Sequence, residues 1–141
     1  MASKKILIVD DSPVILKAFS NMLRVGGYEV ITARDGGTAV NLARQEKPDL
    51  MILDINFPPD VGHGGGVPWD GFLIINWLSR MDEAKGMPII VITGEDPSKY
   101  KERALAAGAV DFFHKPVDPA QLVESIRKAL GEDGAVVQPV S

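Results

Sequence analysis

The stretch LMILDINFPP, Leu50 to Pro59, runs four apolar residues straight into Asp54 and leaves through Asn56 and two prolines. Unbroken apolarity over so few residues suits a strand covered on both faces, as in a parallel sheet. The proline pair ends it, since proline cannot donate to a ladder. A carboxylate at the end of a buried strand is costly unless something beside it uses the charge.

Outward from Asp54, the same pattern repeats. KILIVD (Lys5 to Asp10), EVITA (Glu29 to Ala33), PIIVIT (Pro88 to Thr93) and DFFHK (Asp111 to Lys115) read as further strands. Amphipathic segments lie between them. The first helix opens at Ser12-Pro13, a capping hydroxyl followed by a proline whose missing N–H costs nothing there. Ile15, Phe19, Met22 and Leu23 recur at helical spacing, and Gly26-Gly27 supplies the stop. Further helices are expected from about Gly37 to Gln45, after Asp70, after Pro97 as far as Gly108, and after Asp118 as far as Gly131. The order is (βα)5: an α/β, doubly wound, parallel five-stranded sheet with right-handed crossovers.

The chain has 141 residues, 45% of them hydrophobic and 24% charged, which fits one globular domain with a proper core. A net charge of -4 argues against a chain built to bind nucleic acid or an anionic membrane. With no cysteine there is no disulfide frame and no thiolate metal site. No run reaches membrane-spanning length and no signal stretch follows MASKK, so a cytoplasmic location is expected.

In an open α/β sheet, ligands gather at the carboxyl ends of the strands. Strand one ends in Asp10 and Asp11, strand three in Asp54, strand four in Thr93 and Gly94, strand five in Lys115 and Pro116. Strand two contributes nothing obvious beyond ARD. Carboxylates held together repel. A hard divalent cation relieves this, and Mg²⁺ favours one or two carboxylates with a phosphate oxygen. One lysine and one hydroxyl then suit a phosphoryl group, and the nucleophile can itself be a carboxylate.

These residues, with GYEV (Gly27 to Val30) and AAGAVDFFHKP (Ala106 to Pro116), resemble the receiver domain of two-component response regulators. The likeness spans roughly Lys4 to Leu130, in a receiver domain of residues 4–131 followed by a tail or linker start at 132–141. It implies a flavodoxin-like sheet of order 2-1-3-4-5. Asp54 would accept a phosphoryl group from a sensor histidine kinase, a phosphotransfer protein or acetyl phosphate. Asp11, Asp54 and the Asn56 carbonyl would bind Mg²⁺ (or Mn²⁺) directly, and Asp10 through water. Lys115 would pair with Asp54 and then with the phosphoryl oxygens. Thr93 would move toward the phosphate and Phe112 would turn inward with it, while Phe113 belongs to the core by alternation. Pro116 would follow a cis peptide bond. Gly94 would leave room for an attacking molecule, and Asn56 and Glu95 would tune dephosphorylation. Val14, Leu16 and Ala18 are candidate kinase contacts on the first helix. The face of helix four, strand five and helix five would signal to a partner or form a homodimer. The domain would be no enzyme beyond its own phosphorylation and dephosphorylation.

The sequence departs from the family in one place. FPPDVGHGGGVPW (Phe57 to Trp69) delays the Asp70-Gly71 pair that opens helix three. The loop is either a lid over Asp54 anchored by Trp69 or a surface loop tolerated because long loops cost little closure entropy. His63 lacks a His or Cys neighbour for metal binding. Three rival readings fit the residues less well. A haloacid-dehalogenase-type phosphatase wants a second aspartate where Asn56 stands. A nucleotide- or flavin-binding module wants a glycine loop where DDSPVI is acidic. A phosphorylation-independent binding module has no need of the full set of site residues.

Overall fold

The computed structural model describes residues 4–55, 71–81, 86–94 and 97–131. Ten elements alternate along the chain: β1 Lys5–Val9, α1 Pro13–Val25, β2 Glu29–Ala33, α2 Gly36–Glu46, β3 Leu50–Asp54, α3 Gly71–Ser79, β4 Ile89–Thr93, α4 Pro97–Ala107, β5 Asp111–His114 and α5 Pro119–Ala129. The strands form one sheet in the order β2-β1-β3-β4-β5. Every pairing is parallel. All residues of β3 and β4 are buried, as their uninterrupted apolarity requires.

Alternation along the strands divides the core in two. Ile6, Ile8, Leu50, Ile52, Ile90 and Ile92 meet Leu16 and Leu23 of α1 and Leu122 and Ile126 of α5. Leu7, Val9, Met51, Leu53, Ile89 and Val91 face the other way, against Ala39 and Ala43 of α2, Ile74, Ile75 and Leu78 of α3, and Ala104 of α4. Phe113 lies against the first cluster and Phe112 against the second.

Local chemistry starts α1 and α5 where the sequence indicates, and α2 one residue earlier. Ser12 Oγ accepts from Ile15 N at 3.4 Å, Asp35 Oδ1 from Thr38 N at 2.8 Å, and Asp118 Oδ1 from Ala120 N at 3.0 Å. Gly27, at φ +95°, turns the chain from α1 into β2 with a backbone that a side chain would strain.

Helix α1 corrects one expectation. Its buried stripe is Leu16, Ser20 and Leu23, whereas Ile15, Phe19 and Met22 are only half-buried. Positions 16, 20 and 23 lie on one helical face, and that face meets the sheet. Leu16 is therefore core and not a docking contact, while Val14 and Ala18 are exposed. Apolar residues on several faces left the phase of the helix ambiguous in the sequence.

Candidate functional site

The site grows out of the alternation. Asp10 comes two residues after Ile8, Asp54 two after Ile52, and Lys115 two after Phe113, so all three continue the sheet face covered by α1 and α5. Because β1 and β3 are neighbours, their carboxyl ends bring Asp10 and Asp54 together. Lys115 reaches both from beyond β5. Its Nζ donates to Asp10 Oδ2 and to Asp54 Oδ2, each at 3.0 Å.

Asp10 and Asp54 are buried, and Asp11 is exposed. One carboxylate oxygen from each of the three lies within 4.8 Å of the others. Asp10 Oδ1 also accepts from Ser12 N at 2.9 Å, which ties the carboxylate to the start of α1. Among the described residues, the Lys115 ammonium bridges two of these three carboxylates. Partial burial alone would lower the Lys115 pKa. Its hydrogen bonds to Asp10 and Asp54, with their charges, outweigh burial and raise it above the ordinary lysine value.

The donor set fits a hard divalent cation: oxygen ligands only, anionic, and converging from two chain segments. No thiolate or imidazole stands in the cluster, so a softer metal finds no preference there.

Thr93 and Phe112 belong to the opposite face. Thr93 follows Val91 by two and is fully buried at the end of β4, while Phe112 pairs with Val91 across the β4–β5 ladder. Phe112 is half-buried against the cluster that includes Ala104 of α4. The Lys115 amide donates to the Thr93 carbonyl at 2.8 Å, which carries the β4–β5 pairing up to the lysine. The Lys115–Pro116 peptide is cis. Among the described residues, a Cβ built on Gly94 would meet Lys115 Cδ at an ordinary 3.9 Å. Asn56, Glu95, His63 and the Phe57–Trp69 loop lie outside the described residues.

Beside the acidic cluster, Ile15 and Phe19 of α1, with Gly94, Lys115, Pro116 and Val117, line an open concavity of about 530 Å³. The half-burial of Ile15 and Phe19 thus has a local reason. Two further participants escaped the sequence reading. The Ala33 carbonyl accepts from the Asp10 amide at 3.1 Å, and Arg34 Nη2 donates to the Asp11 carbonyl at 3.4 Å. Nothing in ARD marks either contact, because strand two meets strand one only in the folded sheet.

The chain is similar in sequence and fold to known proteins. The chain is 37% identical over 126 residues to protein PilH of Pseudomonas aeruginosa, covering 89% of this chain and 97% of that protein. The solved CheY-like receiver domain of Methanospirillum hungatei superposes with a TM-score of 0.80 at 30% identity, over 96% of this chain and 99% of that one. The receiver domain of a P. aeruginosa sensor histidine kinase, solved with a magnesium ion coordinated in its active site cleft, gives a TM-score of 0.78 at 28% identity, covering 92% and 99%. The family description "Response regulator receiver domain" matches residues 6–127. With that match over most of its length and the strand order β2-β1-β3-β4-β5, the chain belongs to the response regulator receiver domains of two-component signalling.

Proposed function

We propose that Asp54 is the phosphoacceptor of this receiver domain. The observation that carries the reading is Lys115 Nζ held at 3.0 Å from both Asp54 and Asp10, with the Asp11 carboxylate within the same 4.8 Å cluster. An Asp54 oxygen attacks phosphorus. The P–N bond of a phosphohistidine, or the P–O bond of acetyl phosphate, breaks and its electron pair leaves with the donor. Lys115 keeps its proton and turns toward the phosphoryl oxygens, offsetting their charge. Thr93 donates its hydroxyl to the same group. Asp10, Asp11 and Asp54, with the Asn56 carbonyl, would hold Mg²⁺ (or Mn²⁺), and Asp10 acts through water. When bound, the ion neutralises charge on the transferring phosphoryl group.

Phosphorylation favours the arrangement in which Thr93 and Lys115 both grip the phosphate. Because Thr93 and Phe112 share the sheet face toward α4, movement of Thr93 opens space into which Phe112 turns. The α4–β5–α5 face then changes for a partner or a second copy. Gly94 leaves the approach to Asp54 open, and Asn56 and Glu95 tune hydrolysis. The domain spans residues 4–131, with 132–141 as a tail or the start of a linker, and works in the cytoplasm with a sensor histidine kinase or phosphotransfer protein. Among the described residues no helix is long and apolar enough to cross a membrane. The domain catalyses only its own phosphorylation and dephosphorylation.

Incubation with acetyl phosphate and Mg²⁺ should add one phosphoryl group by intact mass, and chelation should prevent it. An unmodified mass under both conditions overturns the proposal.

Val14 and Ala18 are exposed on α1 beside the concavity at Ile15 and Phe19. Placing a glutamate at either should slow transfer from a cognate kinase by about tenfold, the effect of roughly 1.4 kcal/mol at an interface. The acetyl phosphate rate should not change. Equal slowing with both donors would remove α1 from the docking surface.

A further inference from the structure

We propose that Arg34 is a positioning residue for the metal-binding loop, acting through the backbone of Asp11; this rests on the phosphoacceptor reading above. Asp11 offers its carboxylate to the acidic cluster from an exposed loop, so side-chain burial does little to hold it in place. Its aim depends on the backbone between β1 and α1. That backbone is tied at several points. The Asp10 amide donates to Ala33 O at 3.1 Å, the Ser12 amide to Asp10 Oδ1 at 2.9 Å, and the Leu16 amide to Ser12 O at 3.1 Å. The Asp11 carbonyl lies between these anchors, and Arg34 Nη2 donates to it at 3.4 Å. Arg34 directly follows the last residue of β2, whose parallel pairing with β1 sets Ala33 opposite Val9. The sheet therefore delivers the guanidinium to the loop, and the contact closes the gap in the tether. Asp35, the next residue, caps α2 and fixes the chain on the other side of Arg34.

Two effects of Arg34 on a bound cation have opposite signs. As a positive charge near the cluster it repels a metal ion, so its removal would tighten binding. As an anchor it narrows the range of directions Asp11 samples, so its removal would weaken binding. The tether should prevail, because an exposed guanidinium is screened while a carboxylate that wanders loses its ligand bond. The sign of the change thus separates the two roles.

The test is calorimetric titration of Mg²⁺ into wild type, Arg34→Ala and Arg34→Lys. Arg34→Ala should raise the Mg²⁺ dissociation constant by about three- to tenfold, the size of one exposed-to-intermediate hydrogen bond. The weakening should persist at high salt. Arg34→Lys, which keeps the charge and one donor, should recover part of the affinity. The phosphorylation rate with acetyl phosphate should fall at low Mg²⁺ and return to the wild-type value at saturating Mg²⁺. Unchanged or tighter Mg²⁺ binding in Arg34→Ala overturns the proposal, as does a rate deficit that saturating Mg²⁺ leaves in place. A wild type that binds no Mg²⁺ would instead overturn the phosphoacceptor reading itself.

Discussion

Asp54→Asn should leave the fold intact and abolish phosphorylation by acetyl phosphate. The asparagine amide fills the same buried space at the end of β3 but has no anionic oxygen to attack phosphorus. Its carbonyl should still accept a hydrogen bond from Lys115 Nζ, which in the wild type sits 3.0 Å from Asp54 Oδ2 and from Asp10 Oδ2. Stability without magnesium should hold or rise, by about 1 kcal/mol, because the substitution removes one of three mutually repelling carboxylates. On the proposed metal site, Mg²⁺ affinity should fall, since the cluster loses one anionic oxygen donor. Intact mass, urea unfolding and Mg²⁺ titration read the three effects separately. A phosphoryl group still carried by the variant would place the acceptor elsewhere and end the account of the site.

Lys115→Ala should do the opposite to stability. It leaves two buried carboxylates, Asp10 and Asp54, facing each other with no ammonium between them. Removing one partner from a buried charge cluster costs about 3 kcal/mol. Urea unfolding at neutral pH in magnesium-free buffer should show this loss, and added Mg²⁺ should recover part of it by binding the native state. Phosphorylation at saturating Mg²⁺ should slow by about 10²- to 10³-fold, the usual consequence of deleting one donor to a charge-developing centre. Lys115→Arg should not restore the rate. Guanidinium is larger and planar and spreads its charge, so it does not reproduce the compact point charge that the ammonium places between the two oxygens. A wild-type rate in Lys115→Ala would show that the bridge is structural only.

Much of this was open to reading because its causes are local. Five short apolar runs made strands, and Ser12-Pro13 and Asp118-Pro119 opened helices through contacts only two or three residues long. Asp35 capped α2 one residue earlier than Gly37 suggested, a shift of the size expected at helix ends. The acidic pair, Asp54, Thr93 and Lys115 could be assigned to one sheet edge because parallel strands point the same way. The phase of α1 could not be read, since apolar residues occupied more than one face. Packing on the sheet chose Leu16 over Ile15 for burial.

The amino-acid order alone determined the element order, the doubly wound sheet and the identity of the residues at its carboxyl edge. These follow from hydrophobic period, turn chemistry and chain direction, all properties of neighbouring residues. Tertiary structure alone decided which oxygens Lys115 shares, with partners 105 and 61 residues away, and that Arg34 donates to the Asp11 carbonyl from 23 residues away. It also decided that Thr93 and Phe112 lie on one sheet face while Asp54 and Lys115 lie on the other. Such contacts depend on strand register and on the angle at which each side chain leaves its backbone, and neither exists until the sheet has assembled.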